Sequence, residues 1–431
     1  MMIDRSKSPD LSTFVDLKFD YPTYVTLNNG IKVYIVNSGD QDVCKLDMLY
    51  RGGLLEETMP LQSMALASML VHGSNEYTSE QMSELLDYNG AYMNAMSHDN
   101  FTQVSLNSLN SNLENVLPAL RSVLLSPSIP EQEFDLLKMQ IKSAYRNAKE
   151  RVKCLSQMSC RGLYFGKKHP FAHMICDEDV ERLTRDDVKA FHAEYYKPEN
   201  CVMILSGKVG DKELSLLDKY YGIETCHGAA SQINDIERTP SDTYNVLVNK
   251  EDALQSSVYM IHGSIPRNHH DYIKLRILIT ALGGYFGSRL MQNIREEKGY
   301  TYGISSMLVG RRGDAKIVIS SECDTKYTYP LISEVNNEIK KLQNELMPIE
   351  ELDMVKNCML SDLAKTLDSP LSMASVVSSN ILYSTGVDYF NRQAEEIKRV
   401  SPEELLAVAN KYIDADKFYI AIAGDEKQLK I

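Results

Sequence analysis

Among the nine histidines, His169 and His173 in HPFAH have the four-residue spacing that lets two imidazoles share one helical face and hold zinc. Pro170 opposes that geometry, because the residue before a proline is driven out of the helical region. HPFAH therefore reads as a structural turn. His72 stands alone, and one imidazole makes no metal site. His269 and His270 follow Pro266-Arg267-Asn268 in a polar connection and read as solvated. Neither His-x-x-Glu-His nor Cys-x-x-Cys occurs anywhere in the chain. LGGYFGS, 282–288, invites comparison with a phosphate loop, but it follows a helical pattern and lacks the required spacing. Close helix packing at Gly283, Gly284 and Gly287 is expected instead. In SRLMQNIREEKGYTYGISS, Arg295 ends an amphipathic pattern, Gly299 supplies a left-handed stop, and Tyr302 opens a strand. By residue type alone, Arg295 offsets a helix dipole and Tyr302 is a good strand former.

The elements that carry these residues are organised as an internal repeat, the first thing to seek in a chain of 431 residues. LTRDDVKAFHAEYYKPENCVMILSGK, from Leu183, aligns with VSPEELLAVANKYIDADKFYIAIAGD, from Val400, at a constant shift of 217. Both copies open on a capping box, Thr184 with Asp187 and Ser401 with Glu404. Both close on a short apolar strand ending in Gly207 or Gly424. PEQEFDLLKMQIKSAYRNAKE, from Pro130, matches PIEELDMVKNCMLSDLAKTL, from Pro348, at a shift of 218. DYNGAYMNA around Gly90 resembles EEKGYTYGI around Gly299 at a shift of 209. Three matches in the same order predict two copies of one unit. Early strands, Asn28-Asn29-Gly30 as a hairpin turn, and long middle helices predict an α+β fold. It comprises two homologous domains, each a largely antiparallel sheet packed with long helices. The expected divisions are 1–226, a polar linker at 227–244, and 245–431.

Hydrophobic residues at 43% and charged residues at 24% describe a globular chain. A net charge of −13 disfavours a phosphate backbone as partner, so no nucleic acid is expected. No run approaches the roughly 18 apolar residues of a membrane span. The opening MMIDRSKSPD has no apolar core, and the scattered cysteines fit reduced thiols. The expectation is a cytoplasmic protein without membrane contact.

RGGLLEE near Arg51, GSNEYTSEQMSELLDYNGAYMNAMSHDNFTQVSL from Gly73, KKHPFAHMICDEDVERLTRDDVKAFHAEYYKPENCVMILSG from Lys167, and LGGYFGSRLMQNIREEKGYTYGISS from Leu282 together resemble the pitrilysin/insulinase family of metallopeptidases, the inverzincins. The resemblance spans nearly the full chain. It implies paired α+β domains around a chamber that admits short or unfolded peptides, and a zinc motif on the helix before Gly73. That segment here reads QSMALASMLVHGS, with Met64 and Ser68 at the histidine positions and Ala67 at the glutamate. The third ligand position falls at Ser143 or Ala144. None of these side chains holds zinc, so no cofactor is expected in this chain, and zinc is expected in a partner.

The resemblance also gives Arg295 and Tyr302 a role. The family places an arginine and, seven residues later, a tyrosine opposite the zinc to hold the substrate carbonyl and backbone. A guanidinium and a phenol are suitable donors to a tetrahedral oxyanion. Tyr300, two residues earlier, should face the same way by strand alternation and is a lesser candidate. Asn94 and Ala95 resemble the family's edge-strand segment, which pairs with peptide backbone. Some members divide the site between two chains. The pattern here implies the non-metal subunit of a heterodimeric zinc peptidase with a zinc-bearing paralogous partner; the isolated chain is also compatible with a homodimer. The alternative is a non-enzymatic structural or assembly subunit, which needs no Arg–Tyr geometry.

Overall fold

The repeat folds into two sheets of one topology. The computed structural model describes residues 17–226, 228–234, 236–311 and 314–429. The first half supplies β1 (Tyr24–Thr26), β2 (Lys32–Asn37), β3 (Val43–Arg51), β4 (Tyr92–Ser97), β5 (Phe101–Leu109) and β6 (Cys201–Gly207). They form a six-stranded sheet in the order β1-β2-β6-β3-β5-β4. The second half supplies β7 (Asn245–Asn249), β8 (Gln255–Ser264), β9 (Thr301–Gly310), β10 (Ala315–Asp324) and β11 (Tyr419–Gly424), in the order β7-β11-β8-β10-β9. Without β1 the two orders correspond strand for strand. Each sheet has one parallel pair, β2 with β6 and β7 with β11, and is otherwise antiparallel.

Local sequence explains the shared elements. Thr184 accepts from the Asp187 amide at 3.2 Å, and Ser401 from the Glu404 amide at 3.3 Å. Each hydroxyl satisfies an amide that the first helical turn leaves unpaired. The helices Arg185–Tyr195 and Pro402–Tyr412 follow, then the buried strands β6 and β11, central enough to carry apolar side chains on both faces. At the β1–β2 hairpin, Gly30 adopts φ +95° and its amide donates to the Leu27 carbonyl.

Each half lends a helix to the other. Val152–Phe165, from the first half, lies on β8 and β11. Its Cys160, Tyr164 and Phe165 share a buried cluster with Tyr259, Ile261, Val318 and Ala421, and Ser156 Oγ meets Ser257 Oγ at 2.8 Å. The repeat-related helix Pro370–Tyr383 lies on β2 and β6, where Ala374 and Val377 join Val36, Leu49 and Ile204. Full burial of each large apolar side chain contributes roughly 1.5–3 kcal/mol, so the exchange couples the halves strongly. The polar connection between them also packs back: the Thr239 amide donates to the Phe165 carbonyl at 2.9 Å and the Ser241 amide to Leu163 at 2.8 Å. Among the described residues no helix is long and apolar enough to cross a membrane.

Candidate functional site

The route to Tyr302 begins where Gly283 ends the helix Tyr272–Gly283. A Cβ there would stand 2.6 Å from the Ser306 amide of β9, the close packing expected at Gly283, whereas Gly284 and Gly287 face only Thr280 and Tyr285 of their own segment. Arg295 then lies on a π-helical turn, Met291–Glu297, in place of the regular helix end expected; such turns insert a residue and re-aim side chains. Gly299, at φ +65°, reverses the chain. The Arg295 guanidinium sits 4.6 Å over the Phe286 ring centre, with Nη1 3.1 Å from Glu296 Oε1. That approach is ionic without hydrogen-bond alignment, and Nη1 has no hydrogen-bond partner. The side chain is 31% exposed.

Tyr302 stands on the edge strand β9 at a bulge. Thr301 pairs with Cys323 and Ile304 with Ser321, so Tyr302 and Gly303 together oppose Glu322. The Thr301 hydroxyl donates to the Glu322 carbonyl at 2.6 Å and the Ser321 hydroxyl to Gly303 at 3.0 Å; bulges of this kind re-aim a side chain. Tyr302 is 91% exposed and borders a cleft of about 470 Å³ with Gln255, Ser257 and Glu322, and with Lys153 from the exchanged helix. Arg295 does not line that cleft. Tyr300 departs from the expectation of a shared direction. It precedes β9, donates its amide to the Ile294 carbonyl at 2.9 Å, and stacks on Tyr327 at 4.6 Å against the second half's core. Alternation fails because Tyr300 lies outside the strand and the bulge interrupts the pleat.

In the first half, Asn94 and Ala95 lie on the edge strand β4 opposite Ser105 and Val104. Both are half-buried, and Tyr92 and Met96 are exposed beside them. Met64 and Ser68 occupy the helix Gln62–Met69, which packs on Glu131–Lys149, the helix of Ser143 and Ala144. The Ser68 hydroxyl donates to the Met64 carbonyl at 2.9 Å. A thioether, a hydroxyl already engaged and a methyl group do not fit zinc, which takes thiolate, imidazole or carboxylate. Met64 instead borders a second cleft, of about 880 Å³.

His169, His173 and His72 have structural partners. His169 Nδ1 accepts from the Phe171 amide at 3.1 Å and its Nε2 faces the Ile236 carbonyl, while His173 Nε2 is 2.8 Å from Asp179. HPFAH is the turn expected of it. His72 Nδ1 lies 3.6 Å from Glu133. His269, His270 and Asp271 come close enough to suggest a metal trio. The Asp271 carboxylate, however, already accepts from Tyr412 at 2.6 Å and Lys411 at 3.1 Å, so a cation is in place. Sequence reasoning passes over Glu57, Arg161, Arg311 and Lys316, which the fold gathers at the junction of the halves. Burial raises the Glu57 carboxyl above its ordinary range, and only the tertiary fold creates that environment.

Residues 33–164 match the family model described as Insulinase (Peptidase family M16), and residues 182–359 match Peptidase M16 inactive domain. The chain belongs to the M16 peptidase family. This M16 chain is 19% identical over 397 residues to the uncharacterized zinc protease YmxG of Bacillus subtilis (strain 168), covering 91% of this chain and 95% of that protein. It is 22% identical over 447 residues to mitochondrial-processing peptidase subunit alpha of Pongo abelii, covering 95% and 83%. A solved M16 inactive domain from Pseudomonas fluorescens matches with TM-score 0.85 and 20% identity over 94% of this chain and 98% of that one. The two-sheet α+β fold is therefore the family's.

Proposed function

We propose that this M16 chain is the non-metal subunit of a two-chain zinc peptidase, holding the carbonyl of a short or unfolded peptide that a zinc-bearing paralogous partner hydrolyses. The observation that carries the reading is Tyr302: a phenol turned outward by a bulge on an open sheet edge, beside a cleft. Arg295, on the preceding turn, keeps a donor nitrogen, Nη1, without a hydrogen bond, and the side chain must turn outward to present that buried atom. Engaging a carbonyl requires its guanidinium to leave Glu296, and a partly exposed pair of this kind contributes at most about 1 kcal/mol. The two donors then act on charge that develops at the carbonyl oxygen. The degenerate metal positions support the split: Met64, Ser68 and Ala144 leave the metal to the partner. Asn94 and Ala95 are proposed as a backbone contact on β4. Eight unpaired cysteines support a reducing, cytoplasmic location.

The test is reconstitution with a zinc-bearing paralogue. Arg295→Ala and Tyr302→Phe should each lower peptide turnover about a hundredfold while the complex elutes intact. Unchanged turnover favours a purely structural or assembly role. One tightly bound zinc in the isolated chain overturns the non-metal assignment.

A further inference from the structure

The cleft above Met64 runs against the charge of the molecule. The chain is acidic, at −13, yet Arg161, Lys167, Lys168 and Arg311 border this cleft against only two carboxylates, Glu57 and Asp99. The cations exceed the carboxylates by two. Glu57 accepts from the Leu61 amide at 3.1 Å and from the Ser63 amide and hydroxyl at 2.8 and 2.6 Å. Asp99 approaches Arg311 Nε at 3.2 Å, leaving Arg311 Nη1 buried without a hydrogen bond; Arg161 Nε is in the same condition. Among the described residues no carboxylate pairs with Arg161, Lys167 or Lys168. Met64 and Met158 share the lining with these cations, and thioethers adapt to varied shapes; the nearby Phe171 ring is covered by the Arg311 guanidinium at 3.4 Å.

We propose that this cleft binds an extended peptide segment whose side-chain carboxylates alternate with apolar residues. The carboxylates meet Arg161 and the two lysines, and the apolar side chains meet Met64 and Met158. Binding requires neither a metal nor the Arg295–Tyr302 pair, which belongs to the other half.

The experiment is isothermal titration calorimetry of the full chain at low salt. The probes are an acetylated, amidated octapeptide alternating leucine and glutamate and its leucine–glutamine counterpart. The glutamate peptide should bind about tenfold tighter and weaken as salt rises. Lys167→Gln/Lys168→Gln, at two exposed positions, should lower its affinity about tenfold and leave thermal unfolding unchanged. Arg161→Gln should act likewise; if it does not fold, the lysine pair alone carries the test. Equal affinity for the two peptides, or unchanged affinity in the lysine double variant, overturns the proposal. Neither result bears on turnover in the reconstituted complex, so this inference and the subunit reading fail separately.

Discussion

Lys316 offers a test of how the halves are joined. It lies on β10 at 3% exposure, its Nζ without a hydrogen bond and 4.3 Å from the centre of the Phe165 ring on the exchanged helix. Burial, and then the neighbouring Arg311 and Arg161, lower its pKa from the ordinary 10.5 to about 7, against weaker opposition from Asp314 and Asp99. Below about pH 7 both folded and unfolded chains carry the proton, and the folded state bears the full cost. Between about 7 and 10.5 the unfolded chain holds the proton that the folded chain has released, so stability rises with pH. The slope is at most about 1.4 kcal/mol per pH unit, giving an upper bound of about 5 kcal/mol over that window. Lys316→Met keeps the stem against Phe165 and removes the titration. Urea unfolding of parent and variant, from about pH 6 to pH 9, should show the variant more stable at the acid end. The gap should close as pH rises, because titrations elsewhere cancel in the difference. Parallel profiles, or a variant less stable near pH 6, refute the reasoning.

Three further substitutions probe packing and caps. Gly166→Ala should lower stability by about 2 kcal/mol or more in urea unfolding, since Gly166 is at φ +94° and a Cβ would stand 2.2 Å from Thr239 Oγ1 and 2.6 Å from the Thr239 carbonyl. Ser401→Ala removes the acceptor for the Glu404 amide and should cost about 1 kcal/mol, read from the urea midpoint. Glu351→Leu strips Arg289 of a part-buried bidentate partner, at 2.7 and 2.9 Å, and should cost about 3 kcal/mol, measured by chemical unfolding.

The repeat is legible in the sequence because its markers are local. A hydroxyl at Thr184 or Ser401 with an acid three residues on writes a helix start, and VMILSG and YIAIAG write buried strands. The α+β class follows, as does the turn at HPFAH, where Pro170 alone decides against a metal pair. What escapes is set by distant packing. Nothing in Val152–Phe165 announces that it covers the other half's sheet, since an amphipathic helix does not name its receiver. The bulge arises from one extra residue between the Thr301–Cys323 and Ile304–Ser321 pairs, which period-two counting cannot register; hence Tyr300 turns inward while Tyr302 turns out. The charge of the Met64 cleft is equally hidden, because Arg311, in the second half, joins Arg161 and Lys167 only through the tertiary fold.

The central claim is that Arg295 and Tyr302 grip one substrate carbonyl, and a double-mutant cycle in the reconstituted complex tests it most directly. The measured quantity is kcat/KM for the parent, Arg295→Ala, Tyr302→Phe and the double variant, with complex integrity checked for each. The account predicts large single losses and a double variant losing clearly less than the product of the two, with coupling of about 1 kcal/mol or more. Losses that simply multiply, or singles indistinguishable from the parent, contradict it.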